Sequence, residues 1–123
     1  MLFSAVALSG GGARATVGSC GAYSAGLMAL STKLSPRNAE TPEKEQEELE
    51  KMRSKCYEFR DWFVSEFSGV SCREALHKLF GAYYDLANEA DRKRLAEVQK
   101  AIGFNCEVVP AKTAVKLAEM LGL

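Results

Sequence analysis

Three of the four cysteines in this chain occur in the same local context. Ser19-Cys20, Ser71-Cys72 and Asn105-Cys106 each place a thiol directly after a residue that favours the N-cap of a helix. A helix N-terminus carries free backbone N–H groups and about half a positive charge. Both stabilise the thiolate, which attacks disulfides and binds metals. We therefore predict three helix-start cysteines of lowered pKa that carry redox or metal chemistry.

A purely structural interpretation competes with this hypothesis. Free cysteine behaves as a small buried hydrophobic residue, and Cys20 and Cys72 fall on the apolar stripes of their predicted helices. The chain would then be a non-catalytic helical interaction module, with thiols of raised pKa that react slowly with alkylating reagents. Cys56 lies in the middle of a long helical run, away from any helix N-terminus, and we predict that it is a core residue.

The elements that position these cysteines are predicted to be helices. Thr41-Pro42 is typical of an N-cap followed by the first helical residue, and Ser71 with Glu74 forms a capping box. The sequence predicts an all-α fold, with residues 1–123 as one helical bundle of about five helices. A short apolar piece is predicted at 2–8 and a glycine turn at 10–12. The five helices are predicted at 20–34, at 42–67, from 72 onward, at 88–102 and at 106–121. The last is apolar on two faces and is predicted to be the most buried.

Composition narrows the range of partners. The 16 basic and 16 acidic residues balance, so nothing favours a nucleic acid or an anionic membrane surface. No CxxC sequence occurs, which excludes a recognisable zinc ribbon or thioredoxin-type site. Residues 15–32 carry no charge, but their glycine, serine and threonine content favours packing inside the fold or in a homodimer over membrane insertion. The N-terminus lacks the basic residues of a signal peptide, and we expect a cytoplasmic protein.

Three windows of the chain resemble one known family. They are the segments from Gly10–Gly12 through Cys20-Gly21-Ala22 to Gly26, from Phe67 to Glu74, and from Phe104 to Cys106. Together they resemble the redox-active family named for its C-GCAxxG-C-C cysteine pattern, whose members are small bacterial and archaeal proteins. The resemblance covers most of residues 9–121. It implies a redox role with the cysteines as the active groups, and it implies no particular reaction or cofactor.

Two departures from the family pattern stand out. The motif glycine is expected at position 25, where this chain has Ala25, and the glycine follows as Gly26. The family's first cysteine lies upstream of the triple glycine, and no cysteine precedes Cys20 here. Either the start is truncated or this member works with three cysteines, because Cys56 has no counterpart in the pattern.

We therefore predict that Cys20, Cys72 and Cys106 are the catalytic set of a thiol oxidoreductase. Two of them would cycle between dithiol and disulfide with a redox partner protein, or pass electrons through a bound centre. Cys20 is predicted to be the attacking thiolate, because Gly18 and Gly21 leave room for a cofactor or another molecule beside it. Arg73 is predicted to lower the pKa of the adjacent thiol.

The main alternative is a protein that binds a metal or an iron–sulfur cluster through the same three cysteines. Thiolates favour iron–sulfur clusters, zinc or copper(I). Cys20, Cys72 and Cys106 would supply three ligands, and a missing N-terminal cysteine or a second subunit would supply a fourth.

Overall fold

The computed structural model describes residues 9–123, which form five α-helices. The helices are α1 (Gly21–Leu34), α2 (Pro42–Phe67), α3 (Cys72–Phe80), α4 (Glu89–Ile102) and α5 (Val108–Leu121). The prediction of an all-α fold is confirmed. The apolar piece predicted at 2–8 lies outside the described residues.

Most helix ends fall where the capping residues indicated. The Thr41 hydroxyl accepts a hydrogen bond from the backbone N–H of Lys44, and the Asn88 side chain accepts one from Asp91. Gly103 and Gly122 end α4 and α5 in the left-handed conformation, which glycine adopts without strain. These local signals were sufficient because each capping bond joins residues only three or four positions apart.

The centre of the fold is the second half of α2. Phe59, Phe63 and Phe67 are almost completely buried and pack together with Leu30 of α1 and Val109 of α5. Burying side chains of this size is the main favourable term in folding. The core of the bundle is therefore an aromatic stripe of α2, spaced by four residues along one helix face and covered by α1 and α5.

The prediction that the last helix is the most buried was wrong. Only Val109 and Thr113 of α5 are buried, and Val115 is 61% exposed. An apolar pattern on two faces does not reveal which face a neighbour covers, and here α1 and α2 cover one of them. On the second apolar face of α5, Ala111 and Val115 are exposed, whereas Val108 and Leu121 are half-buried against the core.

Gly26 explains the departure from the family pattern in α1. A Cβ atom at this buried position would lie 2.7 Å from Cε1 of the Phe59 ring, which is closer than real Cβ contacts. Ala25, one position earlier, is exposed. The glycine therefore stands where the Phe59 ring of α2 leaves no room for a side chain on α1.

The charged first half of α2 is helical and exposed. Ion pairs at i,i+4 spacing, such as Lys51 with Glu47, run along its surface. In the part of the chain that the structure describes, no helix combines the length and the apolar character needed to cross a membrane.

Candidate functional site

The starts of α1 and α3 are joined by a short antiparallel β-bridge. Ser19 pairs with Ser71, the backbone N–H of Cys20 donates to the Val70 carbonyl at 2.7 Å, and that of Cys72 donates to the Gly18 carbonyl at 3.0 Å. This bridge brings together two cysteines that are 52 positions apart in the sequence. Both are 7% exposed.

Cys106 is the third member of the cluster. It lies in the turn between α4 and α5, is half-buried, and packs against both hydrophobic clusters of the fold. Cys20 belongs to one of these clusters and Cys72 to the other. The structure thus brings the three predicted site cysteines together, and we call them the thiol cluster.

The three cysteines begin their helices in different ways. Cys72 is the first residue of α3 behind the Ser71 N-cap, as predicted. Cys20 is itself the N-cap of α1, which begins at Gly21. Cys106 precedes α5 by two residues, and its carbonyl accepts a hydrogen bond from the Val109 N–H at 3.0 Å. The recurring sequence context therefore correctly predicted that each cysteine lies near a helix start. Only Cys72, however, is the first residue of its helix, as the context had suggested for all three.

Cys56 lies apart from this arrangement. It is half-buried on α2, and its thiol lies near the hydroxyl of Tyr23, whose pKa is raised mainly by burial and in smaller part by the charge of the Cys56 thiolate. Burial raises the pKa of Cys56. These observations agree with the prediction of a core residue.

Burial, not the helix N-terminus, controls the acidity of Cys72 and Cys106. Removal from water raises the pKa of Cys72 to about 12 and that of Cys106 to about 11. Negative charge on the neighbouring cysteines raises both values further. The prediction of lowered pKa values was wrong for these two thiols, because desolvation of a thiolate outweighs the partial charge of a helix end. In this structure both are protonated at neutral pH.

The predicted supporting residues act differently from what we expected. The Arg73 guanidinium turns outward and lies 4.2 Å from the ring centroid of Tyr83, and it does not lower the pKa of Cys72. Gly18 does not open space around Cys20, since a Cβ at this position would lie within 3 Å of the Gly11 backbone. Gly21 is half-buried as the first residue of α1.

A loop of residues 9–18, the glycine loop, covers Cys72. Five consecutive residues, Gly10 to Arg14, have positive φ angles between 48° and 80°. A Cβ at Gly11 would lie 3.1 Å from the Cβ of Cys72, so the backbone of the loop lies directly on that side chain. The Thr16 carbonyl accepts a hydrogen bond from the Arg73 N–H at 2.7 Å, which fastens the loop to α3.

Nothing in the sequence patterns predicted this cover. The three adjacent glycines indicated a turn, and the structure has one. What the turn covers depends on the β-bridge, which joins the loop to a segment more than 50 residues away.

Metal coordination by the cluster stays a prediction. Across residues 9–123, no three or more histidine, cysteine, aspartate or glutamate side chains are grouped so that they could hold a metal ion. The four cysteines are free thiols.

The capping box beside Cys72 predicts a specific dependence on pH. The Ser71 N–H and hydroxyl donate to the Glu74 carboxylate at 3.0 and 2.7 Å, and these bonds lower the pKa of Glu74. A lowered folded-state pKa contributes stability that is present above the unfolded value of about 4.3 and is lost as pH falls through the folded value. We expect Glu74→Gln to unfold more easily at pH 7 than the unchanged protein and to lose less stability on acidification.

Urea unfolding at pH values from 7 to about 3 measures this effect. Ser71→Ala should lower the unfolding free energy by about 1 kcal/mol through loss of the cap. Glu47→Gln is the matched control. It also replaces one carboxylate by an amide, but the ion pair of Glu47 with Lys51 lies on the exposed face of α2 and should contribute little to stability. An identical acid response in Glu74→Gln and the unchanged protein would contradict this assignment.

Comparison with known proteins identifies one family. A family model described as "Putative redox-active protein (C_GCAxxG_C_C)" matches residues 1–120. No curated protein and no solved structure matches the chain.

Proposed function

Because this chain belongs to the redox-active family with the C-GCAxxG-C-C pattern, we propose that Cys20, Cys72 and Cys106 are its redox-active groups. Two of them cycle between a dithiol and a disulfide. The observation that supports this most directly is their convergence: three cysteines from separate parts of the sequence meet at one place, close enough for the charge of one to affect the pKa of another. Cys56 lies apart from these three, in α2.

The reaction is thiol–disulfide exchange with an external disulfide. One cysteine thiolate attacks a sulfur of that disulfide, forms a mixed disulfide and releases one thiolate, which takes up a proton. A second cysteine then attacks the protein sulfur of the mixed disulfide and releases the second thiolate. Two electrons and two protons have passed from the protein to the external disulfide. The reverse sequence reduces the protein.

Burial of the cluster sets the conditions of this exchange. Burial raises the pKa of Cys106 to about 11, so only about one thiol in ten thousand is ionised at pH 7. Exchange therefore starts from a locally opened state in which more water reaches the thiols than in the structure described above. We expect the rate of oxidation to rise steeply between pH 7 and pH 9.

Oxidation followed by disulfide mapping tests the proposed function. Reduced protein is treated with glutathione disulfide, remaining thiols are alkylated after denaturation, and peptides are identified by mass spectrometry. We expect two thiols of the cluster to be lost and to return on reduction, while Cys56 stays free. A Cys56→Ser variant should behave in the same way.

Two outcomes would contradict the proposal. If every disulfide included Cys56, the redox-active site would lie outside the thiol cluster. If the cluster thiols were not lost reversibly, they would be buried structural residues of a non-catalytic protein. Protein purified without oxygen is measured in parallel for metal and visible absorbance. Stoichiometric metal that disappears in Cys72→Ser would instead favour the metal alternative.

A further inference from the structure

The β-bridge fixes the separation of two of the three site cysteines. In an antiparallel pair with Ser19 opposite Ser71, Cys20 stands opposite Val70, and Cys72 is its diagonal neighbour. Diagonal neighbours on one face have Cα atoms about 7–8 Å apart. A disulfide needs a Cα separation below about 7 Å. A direct bond between Cys20 and Cys72 therefore requires the bridge to move.

The bridge is fastened against such movement. Hydrogen bonds of 2.7 Å from Cys20 and 3.0 Å from Cys72 form its two rungs, so the backbone of both cysteines is held at the amide. Each cysteine also lies at the start of a helix that is packed into the core, through Leu30 in α1 and through Ala75 and Leu76 in α3. Displacing either backbone would break hydrogen bonds in a part of the fold that excludes water.

Cys106 is held differently. Its backbone lies in the turn between α4 and α5, outside the bridge, and its side chain packs against the surroundings of both other cysteines. A turn adjusts its backbone at lower cost than a paired segment does. Of the three thiols, Cys106 is therefore the one that can approach either neighbour.

Access from solvent also favours Cys106. It is half-buried, whereas Cys20 and Cys72 are 7% exposed and Cys72 lies beneath the glycine loop. Two surface grooves of about 400 and 390 Å³ border the turn, both lined by Gly103, Phe104 and Asn105. Phe104, in the same turn, is 44% exposed and offers an apolar contact to a partner, although Cys106 itself lines neither groove.

Resting on the function proposed above, we propose that Cys106 is the thiol shared by every disulfide of this site. Cys106 attacks the external disulfide first and forms the mixed disulfide, releasing one external thiol. Cys72 or Cys20 then attacks the Cys106 sulfur and releases the second external thiol. The product is a Cys72–Cys106 or Cys20–Cys106 disulfide, never Cys20–Cys72, and the role predicted for Cys20 as the first attacking thiolate passes to Cys106.

The disulfide map of the oxidised, otherwise unchanged protein is the first test, because it needs no variant that could misfold. Glutathione disulfide is the oxidant. We expect every intramolecular disulfide to contain Cys106. A Cys20–Cys72 disulfide would overturn the inference while leaving the proposed function intact, and the absence of any reversible disulfide would overturn both.

Serine variants in a Cys56→Ser background give the second test. Cys106→Ser should form no intramolecular disulfide and should react with glutathione disulfide roughly tenfold or more slowly. Cys20→Ser and Cys72→Ser should each still form the remaining disulfide with Cys106, and the variant lacking both should accumulate glutathione on Cys106. Glutathione found mainly on Cys72 in Cys20→Ser, or mainly on Cys20 in Cys72→Ser, would contradict this order. Circular dichroism checks that each variant is folded.

Discussion

Gly18→Ala is expected to uncover Cys72. The added Cβ would lie 2.9 Å from the Gly11 carbonyl carbon and closer still to its oxygen, and neither backbone atom can rotate away. Overpacking of this kind costs about 1–3 kcal/mol, and the cost is relieved when the part of the glycine loop around Gly11, which covers Cys72, moves away from Gly18. Such a change raises the population of the opened loop about 5- to 150-fold.

Alkylation of the native protein measures this opening. Reduced protein is treated with iodoacetamide, and the labelling rate of the Cys72 peptide is divided by that of the Cys56 peptide in the same sample. We expect the ratio to rise by about tenfold or more in Gly18→Ala, because a thiol reached only through local opening reacts in proportion to the opened population. Cys56 serves as an internal reference on α2.

The loop itself supplies a matched pair of controls. Gly11 and Gly12 have nearly equal φ angles of 79° and 80°, so an alanine at either position carries the same backbone strain. A Cβ at Gly11 meets Cys72 at 3.1 Å, whereas one at Gly12 meets no atom within 4 Å. Gly11→Ala should therefore increase labelling of Cys72 more than Gly12→Ala. Equal labelling in the two variants would show that strain, and not the cover over the thiol, determines its access.

Phe63→Ala is expected to destabilise the fold more than any other single truncation discussed above. The ring is fully buried, and its centroid lies 4.7 Å from that of Phe67 and 5.2 Å from that of Tyr23. Removing a buried phenylalanine ring loses its transfer free energy and leaves a cavity, at a cost of about 3–5 kcal/mol. Since small domains are stable by only about 5–15 kcal/mol, this is a large part of the total.

The control for this variant lies on the same helix. Tyr57 is 54% exposed, and its ring contacts the Arg60 guanidinium at 5.1 Å. Tyr57→Ala removes an aromatic ring of similar size from α2 but should cost about 1 kcal/mol or less. Urea unfolding of both variants under reducing conditions measures the difference. Similar losses in the two would contradict the assignment of the core to the buried stripe of α2.

Helix ends were predictable because they depend on contacts within one turn of the chain. Thr41, Ser71 and Asn88 each cap a helix through a side-chain bond to a residue three positions ahead. The sequence identified Thr41 by the proline that follows it and Ser71 by its capping box with Glu74. The cysteine contexts are also local, and they correctly indicated that Cys20, Cys72 and Cys106 lie near helix starts. The family resemblance added that these three belong together.

Burial was not predictable in the same way. The pKa of a thiol depends on how much water surrounds it, and at Cys72 that is decided by a loop 60 positions earlier in the chain. The same limit applied to α5, whose two apolar faces are alike in sequence although Val109 is the one apolar residue of the helix that is fully buried. The sequence by itself thus determined the helices, their caps and the three cysteines beside them. Only the tertiary structure decided that the thiols meet, that burial keeps Cys72 and Cys106 protonated, and that Cys106 packs against the clusters that hold the other two, because these properties arise from contacts between segments far apart in the chain.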